Sequence, residues 1–417
     1  MNMAIISLLF LLAAIAAGYF LKMNTGLVAI ALALIIGRIG GMGDSAIIKG
    51  FSGSLFIMLL GVSYLFSIAN QNKTLELIAR KIVSLAGHRT NLIPIIVFFL
   101  AAVLAGIGPG TVPVMALMAV FTMALASEMK INPVMLAAMG LLGAQGGGLT
   151  PMAPTGILGA TLAAEAGYTG IETALMGGQF LGSFLYAMIL YVFFGGYKIK
   201  AEMTLKREDI PAFDKTQKIT ICGIAAMVIM VLGFGFNAGL ASFLAAGVIQ
   251  LFRVADEKKA IAGVPWGTLV LVCGVNVLMN VVITLGGIDL LSNALASVMT
   301  PATATPIIGL TAGIMSWFSS TSGVVMPTLI PTIGTIIDTV GGVTASELVT
   351  AIVTTAHTAG CSPISTGGAL ALAAYCSNTN ASPDEQQKLF VKMFGVAIAG
   401  VVFMTVFAAL GGFGLIP

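Results

Sequence analysis

The sequence predicts an all-α polytopic membrane protein made of two inverted repeats. Each repeat has five spanning helices plus a re-entrant hairpin, with broken helices at the substrate site. Three observations predict this fold: the composition, the recurrence of apolar stretches of span length, and two matched interruptions half a chain apart. Of 417 residues, 58% are hydrophobic and 8% charged, and the mean hydropathy is +1.05. A soluble domain carries about 25% charged residues. With so few charges, most of this chain has lipid as its solvent.

In chain order, Met3–Phe20, residues 27–38 and residues 55–69 are three apolar stretches of span type, and further ones follow at 173–194, 219–236 and 391–407. The first has the look of a signal-peptide h-region but lacks a basic n-region and leads into more spans, so it is expected to be a span. Asn70-Gln71-Asn72-Lys73 followed by residues 75–85 predicts an interfacial amphipathic helix, with Lys73, Arg80 and Lys81 reaching toward water. Residues 289–299 are its counterpart. The four cysteines, Cys222, Cys273, Cys361 and Cys376, lie in apolar segments without C-x-x-C spacing and are expected to pack rather than ligate.

The repeat is visible in three matches that occur in the same order. Ala144-Gln145-Gly146-Gly147-Gly148-Leu149-Thr150-Pro151-Met152 aligns with Ala356-His357-Thr358-Ala359-Gly360-Cys361-Ser362-Pro363-Ile364, displaced by just over half the chain. Leu60-Gly61-Val62 aligns with Cys273-Gly274-Val275 at nearly the same displacement, and the interruption near Gly108 falls near the one at Ser320. Each half reads as three spans, an interfacial helix, a hairpin, a broken span and a last span. Five spans is an odd number, so the second copy is inverted and a pseudo-two-fold axis lies in the membrane plane. The boundaries are residues 1–196 for the first repeat, 197–216 for a cytoplasmic linker and 217–417 for the second.

The hairpins follow from length and punctuation. Residues 92–107 precede Gly108-Pro109-Gly110 and residues 112–126 follow, each arm short for a hydrocarbon core of about 30 Å. Residues 304–318, Ser319-Ser320-Thr321-Ser322-Gly323 and residues 324–337 repeat the form; two ordinary spans joined by a tight turn are the alternative. On this topology 17 of the 19 basic residues fall on one side and only Arg38 and Lys49 on the other. The positive-inside rule makes the first side cytoplasmic, puts both termini outside and suits the plasma (inner) membrane.

The chemistry is expected at the interruptions. Broken helices at membrane depth are tolerated where the freed backbone lines a cavity. Freed amides at the half-helix starts suit an anion. Freed carbonyls and the hydroxyls of Thr150, Thr155, Ser362, Ser365 and Thr366 suit an alkali cation. Small residues in membrane helices also serve close packing, but recurrence at matched positions, together with two tips of Gly/Pro or hydroxyl character, favours a site. The expected substrate residues are Gly108, Pro109, Gly110, Thr111, Gln145, Thr155, Ser319, Ser320, Thr321, Ser322, His357 and Thr366. The expected cation residues are Gly148, Thr150, Pro151, Gly360, Ser362, Pro363 and Ser365. No Lys or Arg lies in a span near the breaks, and His357, matched by Gln145, is the one candidate there for proton coupling. A neutral, hydrogen-bonding role for His357 is the alternative.

Gly50-Phe51-Ser52-Gly53, Leu59-Leu60-Gly61-Val62-Ser63-Tyr64-Leu65-Phe66 and Gly143-Ala144-Gln145-Gly146-Gly147-Gly148 resemble the MatC-type dicarboxylate carriers, which belong with the divalent-anion sodium symporter-like transporters. In that wider group each hairpin tip carries Ser-Asn-Thr, which helps bind sodium and a substrate carboxylate. Ser319 and Thr321 match the second tip; at the first, Thr111 is the nearest hydroxyl. Thr150-Pro151 and Ser362-Pro363 match the cation and substrate loops. The resemblance implies a sodium-coupled carrier of a small C3 or C4 dicarboxylate. It also implies an elevator motion of hairpins and broken helices against a scaffold at residues 3–38 and 219–252, and a homodimer.

The competing classes are weaker. An intramembrane enzyme needs a nucleophile with its base or a set such as H-E-x-x-H, and the only histidines, His88 and His357, stand far apart in the chain with no adjacent acid. No nucleic-acid partner is expected, because a basic groove with interleaved aromatics is absent. No organic cofactor is expected; sodium is the expected coupling ion. A proton-coupled or exchange carrier of another organic anion and a passive channel stay open.

Overall fold

The chain is described by a computed structural model covering residues 2–21, 23–85, 89–199, 210–363, 365–379 and 382–416, with backbone alone for Tyr19, Glu128, Phe318, Thr366 and 377–379. Among the described residues every regular element is helical. The first half contains α1 (Met3–Phe20), α2 (Thr25–Ile39), α3 (Asp44–Ile48), α4 (Gly53–Gln71), α5 (Thr74–Ser84), α6 (Ile93–Gly106), α7 (Thr111–Met129), α8 (Pro133–Gly147), α9 (Pro154–Glu165) and α10 (Glu172–Phe193). The second half contains α11 (Lys215–Phe234), α12 (Ala238–Gln250), α13 (Glu257–Ala262), α14 (Trp266–Thr284), α15 (Gly287–Ala296), α16 (Ala304–Phe318), α17 (Met326–Leu329), α18 (Ile333–Val340), α19 (Ala345–Ala359), α20 (Thr366–Thr379) and α21 (Pro383–Ala409).

With the π-helical turn Thr321–Val325, α17 and α18 counted as one return arm, each element start of the first half recurs in the second at a nearly constant offset, from Met3 with Lys215 to Glu172 with Pro383. Local chemistry sets these starts. Asn2, Asn24, Asn132 and Asn237 accept the first free amides of α1, α2, α8 and α12. Capping boxes open α11 at Asp214, α19 at Thr344 and α21 at Ser382. The Gln217 amide beside Asp214 and the Ser382 amide beside Glu385 hold both carboxyls below their ordinary range. In α5, Leu75, Ala79 and Val83 are buried four residues apart on one face, and α15 buries Ile288, Ser292 and Ala296 in the same register. Arg80 pairs with Glu76 at 3.1 Å on the exposed face.

Two helix crossings tie the halves together. α2 crosses α14 with Gly26 against Gly274, and α4 crosses α12 with Gly61 against Gly239; a methyl group on any of the four would overlap backbone of the facing helix. Gly239 is the repeat counterpart of Gly26, and Gly274 that of Gly61, at one and the same offset. The offset therefore exchanges one crossing for the other, as a two-fold rotation would. α6 and α8 meet in a similar way, through Gly143 against the Phe98 carbonyl and Gly147 against that of Ala102. A small apolar core gathers around α1, α2, α14 and α15, and a larger one holds the hairpins and broken helices. Leu9, Leu12, Leu34, Leu232, Leu244 and Leu251 are among the apolar side chains on the outside, as a lipid-facing surface requires.

Among the described residues, six helical stretches are long and apolar enough to cross a membrane: Gly53–Gln71, Glu172–Phe193, Lys215–Phe234, Trp266–Thr284, Thr321–Val340 and Pro383–Ala409. The arms of each predicted hairpin are unequal. α6 and α16, at 14 and 15 residues, are short as expected. The return arms run to 19 residues in α7 and 20 in Thr321–Val340, about 28–30 Å of helix. Half of the predicted linker, residues 200–209, lies outside the described residues, as do Lys22, His88 and Ile364.

Candidate functional site

Both interruptions predicted from the sequence are breaks in the structure. α8 ends at Gly147 and α9 restarts at Pro154 with Pro in its first turn; α19 ends at Ala359 and α20 restarts at Thr366. At the first break, Gly148 donates its amide to the Gln145 carbonyl and Ala153 donates to Thr150. The Thr150 hydroxyl donates to the Gly106 carbonyl at 2.6 Å, tying the break to the end of α6. At the second, Gly360, Cys361 and Ser362 donate to the carbonyls of His357, Thr358 and Ala359. This leaves the Ala356 carbonyl outside the helix ladder. Hairpin hydroxyls take it up: Ser316 Oγ at 2.7 Å and Thr321 Oγ1 at 3.1 Å, themselves 2.8 Å apart.

The hairpin tips meet these breaks. Gly108 and Gly110 have φ of +145° and +77°, a region L side chains avoid, and a methyl group on them would strike Phe66 and Pro154. Thr111, which opens α7, sits at the position corresponding to Thr321, which opens the second return arm. Thr111 Oγ1 lies against Gly148, so close that no larger residue fits there. Unlike Thr321, it is buried with no hydrogen-bond partner.

Between tips and breaks lies a cavity of about 440 Å³, built from corresponding positions of the two halves. Thr111 faces Thr321 across the repeat relation, Val112 corresponds to Ser322, Gln145 to His357, and Thr155 to Gly367; Met115, Ser320, Gly360 and Ser365 complete the lining. Among the described residues no Lys, Arg, Asp or Glu lines it. The halves differ in character: the first contributes Val112 and Met115, the second Ser320, Ser322 and Ser365. Ser320 Oγ accepts from the Gly323 amide at 3.1 Å and keeps its own proton for a ligand. An apolar cleft of about 490 Å³ adjoins the cavity through Thr111, Val112, Thr155 and Ser322, and runs past Pro109, Gly110 and Ser63 to Pro265 and Thr268 at the start of α14.

Nine of the expected residues therefore line the cavity: Thr111, Gln145, Thr155, Ser320, Thr321, Ser322, His357, Gly360 and Ser365. Pro109 and Gly110 line the adjoining cleft. Of the remaining ones, those with described side chains are not brought to the lining. Gly108 shapes the turn. Ser319 donates to the Met315 carbonyl of its own helix at 2.7 Å. Gly148 and Thr150 brace the break from behind, and Pro151, Ser362 and Pro363 belong to the break itself. The Thr366 side chain lies outside the described residues.

Val112, Met115 and Gly367 were not expected at the site; Val112 and Gly367 adjoin Thr111 and Thr366 in the sequence, and Met115 follows Thr111 by about one helical turn. Nor was a larger cavity of about 1260 Å³ expected. It is lined by Lys49 and Ser52 before α4, Glu165 and Ala166 at the end of α9, Asn276 and Asn280 of α14, and Asp289 of α15. Two asparagines four residues apart in an apolar span were its signal.

Residues 1–148 match the family described as the N-terminus of the dicarboxylate carrier protein MatC, which bears out the resemblance carried by residues 50–66 and 143–148. No curated protein matches the chain. Two solved structures share the fold. The YdaH transporter of Alcanivorax borkumensis has a TM-score of 0.60 at 13% identity, over 91% of this chain and 90% of that one. MtrF of Neisseria gonorrhoeae, described with a class of antimetabolite efflux pumps, has a TM-score of 0.62 at 12% identity, over 90% of this chain and 84% of that one. The matched family and both neighbours are transporters rather than enzymes. The fold is that of a multi-pass membrane transporter.

Proposed function

We propose that this membrane transporter is a secondary active carrier of a small C3 or C4 dicarboxylate, coupled to sodium and working by elevator-type alternating access. The observation that carries the reading is the convergence of both broken helices and both hairpin tips on one cavity lined by matched residues. The family description supports a dicarboxylate. A cavity without fixed charge suits an anion held by half-helix amides and hydroxyls, its charge offset by a co-bound cation on carbonyl and hydroxyl oxygens. Membrane lipid and a second copy of the chain are its proposed partners. The plasma (inner) membrane, with both termini outside, is its proposed setting, and it needs no organic cofactor.

Uptake of radiolabelled succinate or malonate into proteoliposomes is expected to require an inward sodium gradient, to saturate, and to fall at least tenfold in Thr321→Ala. Uptake indifferent to replacement of sodium by potassium or choline would refute the coupling, and non-saturable flux would indicate a channel. A second reading is favoured by the presence of His357 in the cavity: a proton-coupled or exchange carrier. Proton movement that survives in His357→Gln would remove that residue as the proton site.

A further inference from the structure

We propose that the cavity selects its substrate as the hydrogen-bond-donating monoanion, with one carboxylate ionised and the other carboxyl protonated and donating to His357 Nε2. The inference rests on the dicarboxylate reading above and names the ionic form carried. His357 Nδ1 lies 3.1 Å from the carbonyl oxygen of Val353. A carbonyl can only accept, so Nδ1 carries the proton and Nε2 of the neutral ring presents a lone pair. His357 lines the cavity, and no group of the protein donates to that nitrogen among the described residues.

A second acceptor stands at the matched position. Gln145 is fully buried and lines the same cavity, its Nε2 points at Cys361 Sγ at 3.6 Å, and its Oε1 has no partner. Both residues line one cavity, each carrying an acceptor that no described group of the protein pairs, and no cationic side chain lines it among the described residues. A carboxylate offers acceptors only, so against this pair it would lose hydration and gain no donor. A protonated carboxyl supplies the missing O–H. The opposite end of the ligand finds the donors: the free proton of Ser320 Oγ, Ser322, Ser365, and the amides that open α9 and α20.

The titratable groups around His357 leave this polarity in place. Cys361 stands beside Gln145, and the Tyr186 hydroxyl donates to the Val396 carbonyl. Among the described residues no carboxylate or ammonium lines the cavity.

The test is competition against succinate uptake in proteoliposomes of the full chain, at pH 6 and pH 8. Succinamate has one carboxylate and a permanent N–H donor; monomethyl succinate has one carboxylate and no donor. Succinamate is expected to compete equally well at both pH values and at least tenfold better than the ester. The half-inhibitory concentration of unlabelled succinate is expected to rise by up to about tenfold per pH unit above its second ionisation. His357→Leu should bring amide and ester within about twofold of each other, while His357→Gln, which can still present an acceptor, should keep part of the gap. Equal potency of ester and amide in the unsubstituted protein, or succinate as potent at pH 8 as at pH 6, would overturn the inference and leave dicarboxylate transport standing. Absence of uptake of any C3 or C4 diacid at both pH values would overturn the underlying reading and the inference together.

Discussion

Thr111 and Thr321 occupy corresponding positions, border the same cavity and differ in what their hydroxyls do. Thr321 Oγ1 helps satisfy the Ala356 carbonyl left free by the break in α19, whereas Thr111 Oγ1 is buried with no partner. Removing a hydroxyl that bonds a buried carbonyl costs about 1 kcal/mol, whereas removing an unpaired one costs little or stabilises. Thr321→Val is therefore expected to lower the melting temperature of the detergent-purified protein, and Thr111→Val to leave it unchanged or raise it. If Thr111 awaits a ligand, Thr111→Val should also lose most of the stabilisation by succinate with sodium. Equal melting shifts in both variants would mean that the two hydroxyls are equivalent. The pairing of Gln145 with His357 and of the two breaks was legible in the sequence because glycine, proline and hydroxyl recur in register. The retirement of Ser319 from the lining was not. Whether a serine bonds its own helix, as Ser319 does at 2.7 Å, or faces a ligand depends on a rotamer that no spacing reveals.

Elements are held together by four glycines at two backbone crossings that the repeat exchanges. Gly274→Ala would drive a methyl group into the Gly26 backbone, and Gly61→Ala would do the same at Gly239. Overpacking of this kind costs about 1–3 kcal/mol, so both variants are expected to melt several degrees lower, by similar amounts. Gly247 of α12 supplies the contrast: a methyl group there meets nothing within 4 Å. Gly247→Ala should stabilise by about 0.5–1 kcal/mol through helix propensity alone. Thermal unfolding of the three variants side by side checks the claim, and a destabilised Gly247→Ala or an unaffected Gly274→Ala would contradict it. Helix identities and order were readable because span-length apolar runs alternate with Asn, Asp, Ser and Thr caps. The length of the second return arm was not. Pro327 and Pro331 each lie in the first turn of a short helical segment, where a missing N–H breaks no bond, so the helical stretch Thr321–Val340 continues through both.

At the scale of the whole molecule, the central cavity has an apolar cleft on one flank, and a larger polar cavity lies among Lys49, Glu165 and Asp289. On the proposed orientation, with both termini outside, Thr268 in the cleft would lie in the cytoplasmic half and Ala166 in the larger cavity in the outer half. Alternating access requires that a ligand shift the exposure of these two places in opposite directions, because the same moving body closes one path as it opens the other. Thr268→Cys and Ala166→Cys, each placed in a chain lacking the exposed Cys222 and the half-buried Cys376, are the probes. A membrane-impermeant maleimide should label Ala166→Cys from outside right-side-out vesicles, and Thr268→Cys only in inverted ones. Addition of succinate with sodium should raise the labelling rate at one position and lower it at the other. Parallel changes at both would point to a pore that opens as a whole, and labelling of both positions from one side would overturn the assigned topology. The reciprocal result would also give the pseudo-two-fold relation a mechanical meaning: the cavity is shared by two halves whose unequal linings, apolar at Val112 and Met115 and hydroxylated at Ser320, Ser322 and Ser365, let one end of the ligand be held while the other is released.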